Sequence, residues 1–324
     1  MMLNMPTLRQ LEYIVSVAKL RHFGRAARAC AVSQPALSKQ IQEAEQLLGV
    51  VIFERTRPKI QLTRMGKVIV EKAQQILSEA QELLHLSSEV KGELVGQLRL
   101  GVIPTIAPYL LPPLLTSLRQ EDARLQLILK EGMSYPILDE LRAGQLDLVL
   151  LALPIHHKGL EVLPLFEEPF VLAAPSGHRL AESGSIEASE LLGDGLLLMA
   201  EGHCLRDHAL DVCGNVARED MEIQATSLTT LALMVRSGLG ATLMPASALQ
   251  HEMAGAQDIS LRTFATGSPH RTIGLIWRPT TVRTRLFHHI GERLQAIVPL
   301  LQASLPQGID GPEPLFTLCP MDSQ

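Results

Sequence analysis

The first hydrophobic pattern in the chain is helical. Leu8, Leu11, Ile14, Val15 and Ala18 recur at the three-and-four spacing of one helix face. Thr7 stands where it can cap that helix, and Gln10, three residues later, can complete a capping box. A short Ala-rich helix ends near Ala31, and Ser33 caps a further one. Pro35 is tolerated in its first turn, where a backbone N–H has no partner anyway. Ala36, Leu37, Ile41, Ala44 and Leu48 continue the stripe, and Gly49 ends it. The run VIFERTRPKIQLT then holds two short β-rich pieces around Arg57-Pro58-Lys59. Two helices about a tight turn followed by a hairpin predict a winged helix-turn-helix over residues 1–65.

From Gly66 the spacing changes. Ile69, Ala73, Ile76, Ala80, Leu83, Ser87 and Val90 alternate in steps of four and three, a heptad seam sustained for about three heptads. The helix over 66–94 is therefore read as a linker whose seam meets a second copy, rather than as one lying only on its own domain. Beyond residue 95 strands and helices alternate. QLRLGVI, ARLQLILK, LDLVLLAL, FVLAAP, GLLLMA, GATLMP and RTIGLIWRP read as strands, and the stretches between them carry helices from about Leu110, at ILDELRAG, at SLTTLALMVRSG and up to about Leu301. Such alternation predicts parallel βαβ units in an α/β effector domain over 95–302. Its two lobes are expected at 95–167 with 269–302, and at 168–268. Residues 303–324, rich in Pro and Gly, are expected to form a flexible tail in which Cys319 is incidental.

Charge sharpens this division. Residues 1–65 carry ten Lys/Arg against four Asp/Glu, a net +6, on a chain whose total is −5. A basic block on an acidic body suits a nucleic-acid module joined to something else. No run approaches the roughly 20 apolar residues that span a bilayer, and the first residues lack an export signal. A cytoplasmic protein with no membrane association is expected, in a compartment that keeps thiols reduced.

Two of the four cysteines fall within MAEGHCLRDHALDVC, residues 199–213. Cys204 and Cys213 can be buried packing residues. With His203 and His208 they can be metal ligands, although the spacing departs from the usual paired pattern. A permanent disulfide conflicts with the compartment. A reactive pair is the fourth reading, since His203 and Arg206 are neighbours of the kind that favour a nucleophilic thiolate. Cys30, in the helix before the turn, is read as core.

The segment LRQLEYIVSVAKLRHFGRAARACAVSQPALSKQIQEAEQLLGVVIFERT, with Ala26-Ala27, Ser33-Gln34-Pro35, Leu37-Ser38 and Leu48-Gly49, resembles the DNA-binding domain of LysR-type transcriptional regulators. GVIPTIAPYLLP (101–112), PLFEEP (164–169), EGHCLRDHALDVC (201–213), ATSLTTL (225–231) and HRTIGLIWRP (270–279) are similar to the peroxide-sensing members of that family. The resemblance runs from residue 4 to about 300. It implies two Rossmann-like lobes, periplasmic-binding-protein-like, behind a winged helix-turn-helix and a long dimerisation helix. It also implies a homodimer or homotetramer on double-stranded DNA, an activator that contacts RNA polymerase, and no cofactor or metal. At the DNA, Gln34 suits adenine, Ser33 and Ser38 suit bases or phosphates, and Pro35 and Ala36 can meet a thymine methyl. Lys39, Arg55, Arg57 and Lys59 suit phosphates.

For the cysteine window the resemblance implies that hydrogen peroxide oxidises Cys204 to a sulfenic acid and that Cys213 resolves it to a disulfide. A reductant such as glutaredoxin or thioredoxin would reverse the step. Nine helical residues would hold the two cysteines roughly 13 Å apart, against the 7 Å or so that a disulfide permits, so oxidation would refold the segment. Thr105 would hold the peroxide oxygen, with His203 and Arg206 as further donors, Asp207 orienting them, and Thr226 facing the same pocket. Ser134 stands where the family usually has threonine. Two rival functions are a regulator that binds a small molecule between the lobes, with the cysteines as bystanders, and a thiol peroxidase turning over at Cys204. The DNA module and the lack of a reductant-binding motif argue against an enzyme.

Overall fold

The computed structural model describes residues 5–54, 60–90, 96–121, 124–181, 185–191, 196–212, 225–256, 258–265, 269–306, 309 and 315–321. Two compact units divide the chain, Met1–Gly92 with Glu140–Leu146, and Glu93–Asp139 with Asp147–Gln324.

In the first unit, α1 (Leu8–Leu20) opens on the expected capping box, with the Gln10 amide donating to Thr7 Oγ1 at 3.2 Å and the Thr7 amide to Gln10 Oε1 at 2.8 Å. Its buried face is Leu11, Ile14 and Val17, with Tyr13, whereas Leu8 in the first turn is exposed. Helices α2 (Phe23–Ala29) and α3 (Gln34–Leu48) meet across the four residues Cys30, Ala31, Val32 and Ser33. Ala31 there is left-handed at φ 54°, and the Val32 amide returns to Ala27 O at 2.9 Å. The two helices approach closely at Gly24, where a Cβ would sit 3.0 Å from Gln34 Oε1 and the end of that side chain would have to give slightly. The strands β1 (Phe53–Glu54) and β2 (Gln61–Leu62) pair antiparallel. Glu45 Oε1 holds the approach to β1 by accepting from the amides of Ile52 at 2.7 Å and Phe53 at 3.2 Å.

Helix α4 (Arg64–Val90) starts where Thr63 Oγ1 accepts from the Gly66 amide at 2.8 Å. Val70 and Ala73 join the core of Leu11, Ile14, Leu37, Ile41 and Phe53, with Ile69 and Leu77 packed at its edge. The expected seam therefore divides. Ile69 and Ala73 pack within their own unit, while Ile76 and Leu83, seven residues apart, are 47% and 68% exposed. Burying them needs a surface that a single copy does not supply.

The second unit comprises β3 (Gly96–Val102), α5 (Ala107–Glu121), β4 (Leu125–Glu131), α6 (Ser134–Arg142, its last turn grouped with the first unit), β5 (Leu148–Leu153), β6 (Glu161–Pro175), α7 (Cys204–Val212), α8 (Leu228–Arg236), β7 (Thr242–Pro245), α9 (Leu249–Glu252), β8 (Ile259–Arg262), β9 (His270–Trp277), α10 (Thr284–Ala303) and β10 (Thr317–Leu318). The strands run β10-β6-β9-β5-β3-β4, and the far half of β6 carries β7 and β8 instead. Only β3 with β4 and β3 with β5 are parallel; β9 pairs β5 and β6 antiparallel, as do β7 and β8 with β6. The expectation of parallel units thus holds for one part of the sheet. It fails where the 15-residue β6 runs from one group of strands to the other, because β9 returns beside it from the opposite end.

The handover lies between Pro169, opposite His270, and Phe170, opposite Pro245. Beyond it, Phe170–Ala174 anchors a core with Leu205 and Ala209 of α7, Leu231 and Val235 of α8, and Leu243 of β7. The segment GLLLMA, expected as a strand, keeps only an isolated bridge between Met199 and Ala225 among its described residues. The 303–324 segment is not simply a tail. Residues 317–318 pair with Glu167 and Phe166 of β6, Phe316 is buried against Phe166, and the Cys319 amide donates to Leu165 O at 2.9 Å. An apolar Phe and an unfilled sheet edge outweigh the Pro/Gly composition.

Left-handed backbone costs a residue with a Cβ about 1–2 kcal/mol, so Ala31→Gly is expected to stabilise the first unit by about 0.5 kcal/mol once the extra chain entropy of glycine is offset. Denaturant unfolding of the variant, read as a midpoint shift at constant slope, measures this.

Candidate functional site: a free thiol beside a buried arginine

The second unit's site grows from one cross-strand pair. Glu168 of β6 lies directly opposite Arg271 of β9, and both side chains are almost fully buried. Arg271 Nε donates to Glu168 Oε2 at 2.7 Å, and Glu168 Oε1 accepts from the Ser247 amide at 2.8 Å. The other side of the guanidinium reaches the turn between β3 and α5, where Nη1 donates to Thr105 Oγ1 at 2.9 Å and Nη2 to Thr105 O at 3.1 Å. Since Thr105 Oγ1 accepts from Arg271, its own hydrogen points elsewhere and can be donated to a ligand. Tyr109, one turn into α5, donates to Glu252 Oε1 at 2.8 Å. Burial and the Glu252 carboxylate push its phenol up, so it stays protonated.

Cys204 opens α7 after a turn in which Gly202 adopts φ 91°. A Cβ on Gly202 would also fall 2.9 Å from Met133 Sδ, so this turn lies against the residue that precedes Ser134. Leu205 and Ala209 bury one stripe of α7 in the core, which leaves Cys204 and His208, four residues apart and half-buried, on the neighbouring stripe. Cys204 is a free thiol. His203 is buried, and burial lowers its pKa, so the imidazole is neutral near pH 7. The expected positive charge beside the thiol is thus not carried by His203. Arg206 Nη1 donates to Met199 O at 3.3 Å, which leaves further N–H groups of its guanidinium to give.

Among the described residues, the buried side-chain atoms without a hydrogen-bond partner include Ser134 Oγ, His203 Nε2 and His208 Nδ1. Buried groups of this kind are ordinarily hydrogen-bonded. Ser134 and His203 flank the Met133–Gly202 contact, and His208 stands one turn beyond Cys204 with its ring 6.3 Å from Phe170. Burial and the Arg271 charge lower His208 to about 4. Thr105, Ser134, His203 and Cys204 are thus placed in the same part of the unit. Asp207 is exposed in the first turn of α7, where it suits the helix dipole. Thr226 is exposed on the turn before α8. Cys213 lies outside the described residues.

Arg271, Glu168 and Tyr109 were not among the residues expected from sequence, and His208 was read there only as a possible metal ligand. PLFEEP and HRTIG were legible as motifs, but only the register of β6 against β9 shows that Glu168 and Arg271 face each other.

In the first unit, Ser33 caps α3 by accepting from the Ala36 amide at 3.3 Å. Ser33, Gln34, Pro35, Ala36 and Lys39 are exposed and Ser38 is half-buried, so the N-terminal turns of α3 form an open polar surface. Lys39 lies 3.9 Å from Glu43. Arg55, Arg57 and Lys59 lie outside the described residues. None of the described helices is long and apolar enough to cross a membrane, and no group of three or more potential metal-ligating residues occurs among the described residues.

His208 makes stability depend on acid. Its folded pKa of about 4 lies below the ordinary value of 6.5, so the unfolded chain binds the extra proton between those values. The contribution is whole above about pH 6.5 and is lost as pH falls through 4, about 2 kcal/mol after allowance for partial solvent screening. Unfolding free energies measured from pH 4 to 7 are expected to rise more shallowly in His208→Gln than in the parent.

Residues 8–67 match the model of the bacterial regulatory helix-turn-helix protein, lysR family, and residues 91–297 match the LysR substrate binding domain. The DNA-binding transcriptional dual regulator OxyR of Escherichia coli K12 is 39% identical over 290 residues, 89% of this chain and 95% of that protein. The HTH-type transcriptional regulator EstR of Acinetobacter baylyi is 40% identical over 301 residues, 93% of this chain and all of that one. Among solved structures, a full-length cysteine-to-aspartate variant of Pseudomonas aeruginosa OxyR superposes with a TM-score of 0.76 at 36% identity, covering 90% of this chain and 98% of that one. A Corynebacterium glutamicum OxyR variant with hydrogen peroxide bound gives 0.65 at 33% identity, covering 92% and 94%. The chain belongs to the LysR family of helix-turn-helix transcriptional regulators, in its OxyR-type branch.

Proposed function

We propose that the protein is a peroxide-sensing transcriptional regulator in which Cys204 is the peroxidatic thiol and Cys213 resolves it. The observation that carries this reading is the setting of Cys204. It is a free thiol at the start of α7, with the buried and unpartnered Ser134 Oγ, His203 Nε2 and His208 Nδ1 around it and Arg271 behind. Unpaired buried donors and acceptors suit a small ligand that is itself both donor and acceptor, and hydrogen peroxide has that character. The Cys204 sulfur attacks one peroxide oxygen, the O–O bond breaks, and hydroxide leaves and takes up a proton to become water. The Cys213 thiolate then attacks the sulfur of the sulfenic acid, and a second water leaves. Two thiols become one disulfide as two electrons pass to the peroxide.

Refolding couples this step to the rest of the protein. Nine helical residues set Cys204 and Val212 about 12 Å apart, and one further peptide link shifts this by only about 3.8 Å. A disulfide needs Cα atoms within about 7 Å. Its formation therefore requires α7 to unwind, which withdraws Leu205 and Ala209 from the core they share with α8 and β7. That is a two-state element of the kind a switch needs.

The first unit reads double-stranded DNA through the start of α3, with the exposed apolar pair Ile76 and Leu83 of α4 closing a homodimer, and paired dimers making the tetramer. Thr226, Asp207 and Arg206 serve the reacted or refolded state rather than the reduced pocket. RNA polymerase is the partner at promoters, and a dithiol reductant such as glutaredoxin or thioredoxin resets the switch in the cytoplasm. The protein signals once per oxidation rather than turning over as an enzyme. The match of residues 91–297 to the LysR substrate binding domain keeps a small-molecule ligand between the β6-linked strand groups as the second reading.

Mass spectrometry after mild peroxide treatment is expected to find a 204–213 disulfide in the parent and none in Cys204→Ser; two free thiols in the parent, with other cysteines oxidised, would sink the sensor. On one promoter, the footprints of reduced and oxidised parent are expected to differ, and Cys204→Ser is expected to keep the reduced pattern with or without peroxide. Binding is expected to weaken steeply with salt, as phosphate contacts require.

A further inference from the structure

We infer that His208 is a substrate-contacting residue of the peroxide reaction: its Nδ1 accepts a hydrogen bond from the peroxide and so orients the oxygen that Cys204 attacks. The inference rests on the peroxide-sensing reading above and deepens it, because that reading gives this side chain no defined contact or role in the step.

Position comes first. His208 follows Cys204 by four residues on α7, a spacing that sets the two Cβ atoms about 6 Å apart on one face. That gap is of the size that a two-atom molecule and its contacts fill. The same helix buries Leu205 and Ala209, so the stripe carrying Cys204 and His208 is held in place by the core beside it. The ring lies 6.3 Å from Phe170, just past the handover of β6, and it feels the charge of Arg271, whose Nη1 is bonded to Thr105. His208, on the same face of α7 as Cys204, thus lies toward Arg271 and, through it, Thr105. Nδ1 faces inward, is shielded from solvent and has no partner.

Chemistry then selects the role. Burial and Arg271 hold the imidazole neutral at any pH well above 4, so it cannot serve as a cation beside the thiol. A neutral imidazole nitrogen that carries no hydrogen is an acceptor. The surroundings supply donors in excess: Arg271 is donor-only, and the Thr105 hydroxyl, having accepted from Arg271, has its hydrogen left to give. Donors alone can hold the lone pairs of a peroxide, but they leave its two O–H hydrogens without partners and the molecule free to rotate. An inward-facing acceptor removes that freedom. It also repels anions, which offer no hydrogen, and so favours the neutral peroxide over a sulfate or carboxylate attracted to Arg271. In the step itself the Cys204 sulfur donates an electron pair to the near oxygen, an S–O bond forms and the O–O bond breaks. The far oxygen leaves as hydroxide and takes a proton from solvent, with sulfur oxidised by two electrons.

Two rate constants for Cys204 in the full-length reduced protein test this, both read by mass spectrometry: loss of the thiol to hydrogen peroxide and alkylation by iodoacetamide. The second reads the thiol and its access but not the orientation of a peroxide. His208→Leu is expected to slow the peroxide reaction about tenfold, the worth of one hydrogen bond, while alkylation changes by less than about twofold. His208→Gln, which keeps an acceptor oxygen, is expected to recover most of the peroxide rate. The inference is overturned if His208→Leu reacts with peroxide at the parent rate, if both rates fall together, or if His208→Gln is as slow as His208→Leu. A parent protein whose Cys204 alkylates readily but resists peroxide overturns the sensor reading itself, and this inference with it.

Discussion

The ion pair between Glu168 and Arg271 is the constraint on which the second unit turns. Two charges that are almost wholly buried lose several kcal/mol each in hydration, and only close geometry with every remaining lone pair and proton used can offset that loss. Here both carboxylate oxygens and all three guanidinium nitrogens are engaged: Glu168 accepts from the Arg271 Nε and the Ser247 amide, and Arg271 spends its other nitrogens on the side chain and carbonyl of Thr105. One pair thus fixes β6 to β9, the segment after β7 to both, and the β3–α5 turn to all three. It does so one residue from the point where β6 passes from one group of strands to the other. Removing either partner would leave the other charge buried alone, which is the costliest arrangement a core can hold.

The chemistry near Cys204 follows from that burial. Low solvent access makes His203 and His208 neutral and keeps the Tyr109 phenol protonated, so the cations that remain nearby are Arg206, on α7 itself, and the buried Arg271. Around it stand polar atoms that the fold leaves unsatisfied. Each such atom costs stability, a cost that a bound molecule able to pair with it would offset. The short α7 fits the same pattern. It has nine residues, a single buried stripe and a left-handed glycine turn before it, so it is a short element suited to rearrangement.

Much of this was legible along the chain where the information is local. The Thr7–Gln10 box, Ser33 ahead of Pro35, Gly49 after Leu48 and the three-and-four stripes each determine a helix within a few residues, and α1, α3 and α4 begin and run accordingly. The cysteine window stood out because two thiols and two histidines in fifteen residues are rare in any local composition. The same local logic misjudged GLLLMA, an apolar run whose described part crosses a β-bridge instead of joining a strand, and it misjudged the C-terminal segment, whose Phe316 and β10 find an open sheet edge far back at β6. It also assigned a charge to His203 that burial removes.

The sequence by itself determined the winged helix-turn-helix, the long helix after it, the alternation of strands and helices and the reactive look of Cys204, because capping, periodicity and motif spacing act over a handful of residues. Only the tertiary structure decided that Arg271 and Glu168 meet, that Thr105 is thereby turned into a donor, and that His208 faces inward beside Cys204 without a charge. Those outcomes depend on strand register and solvent exclusion among residues more than a hundred positions apart. No local pattern encodes them, since desolvation belongs to the packed interior and not to any segment of the chain.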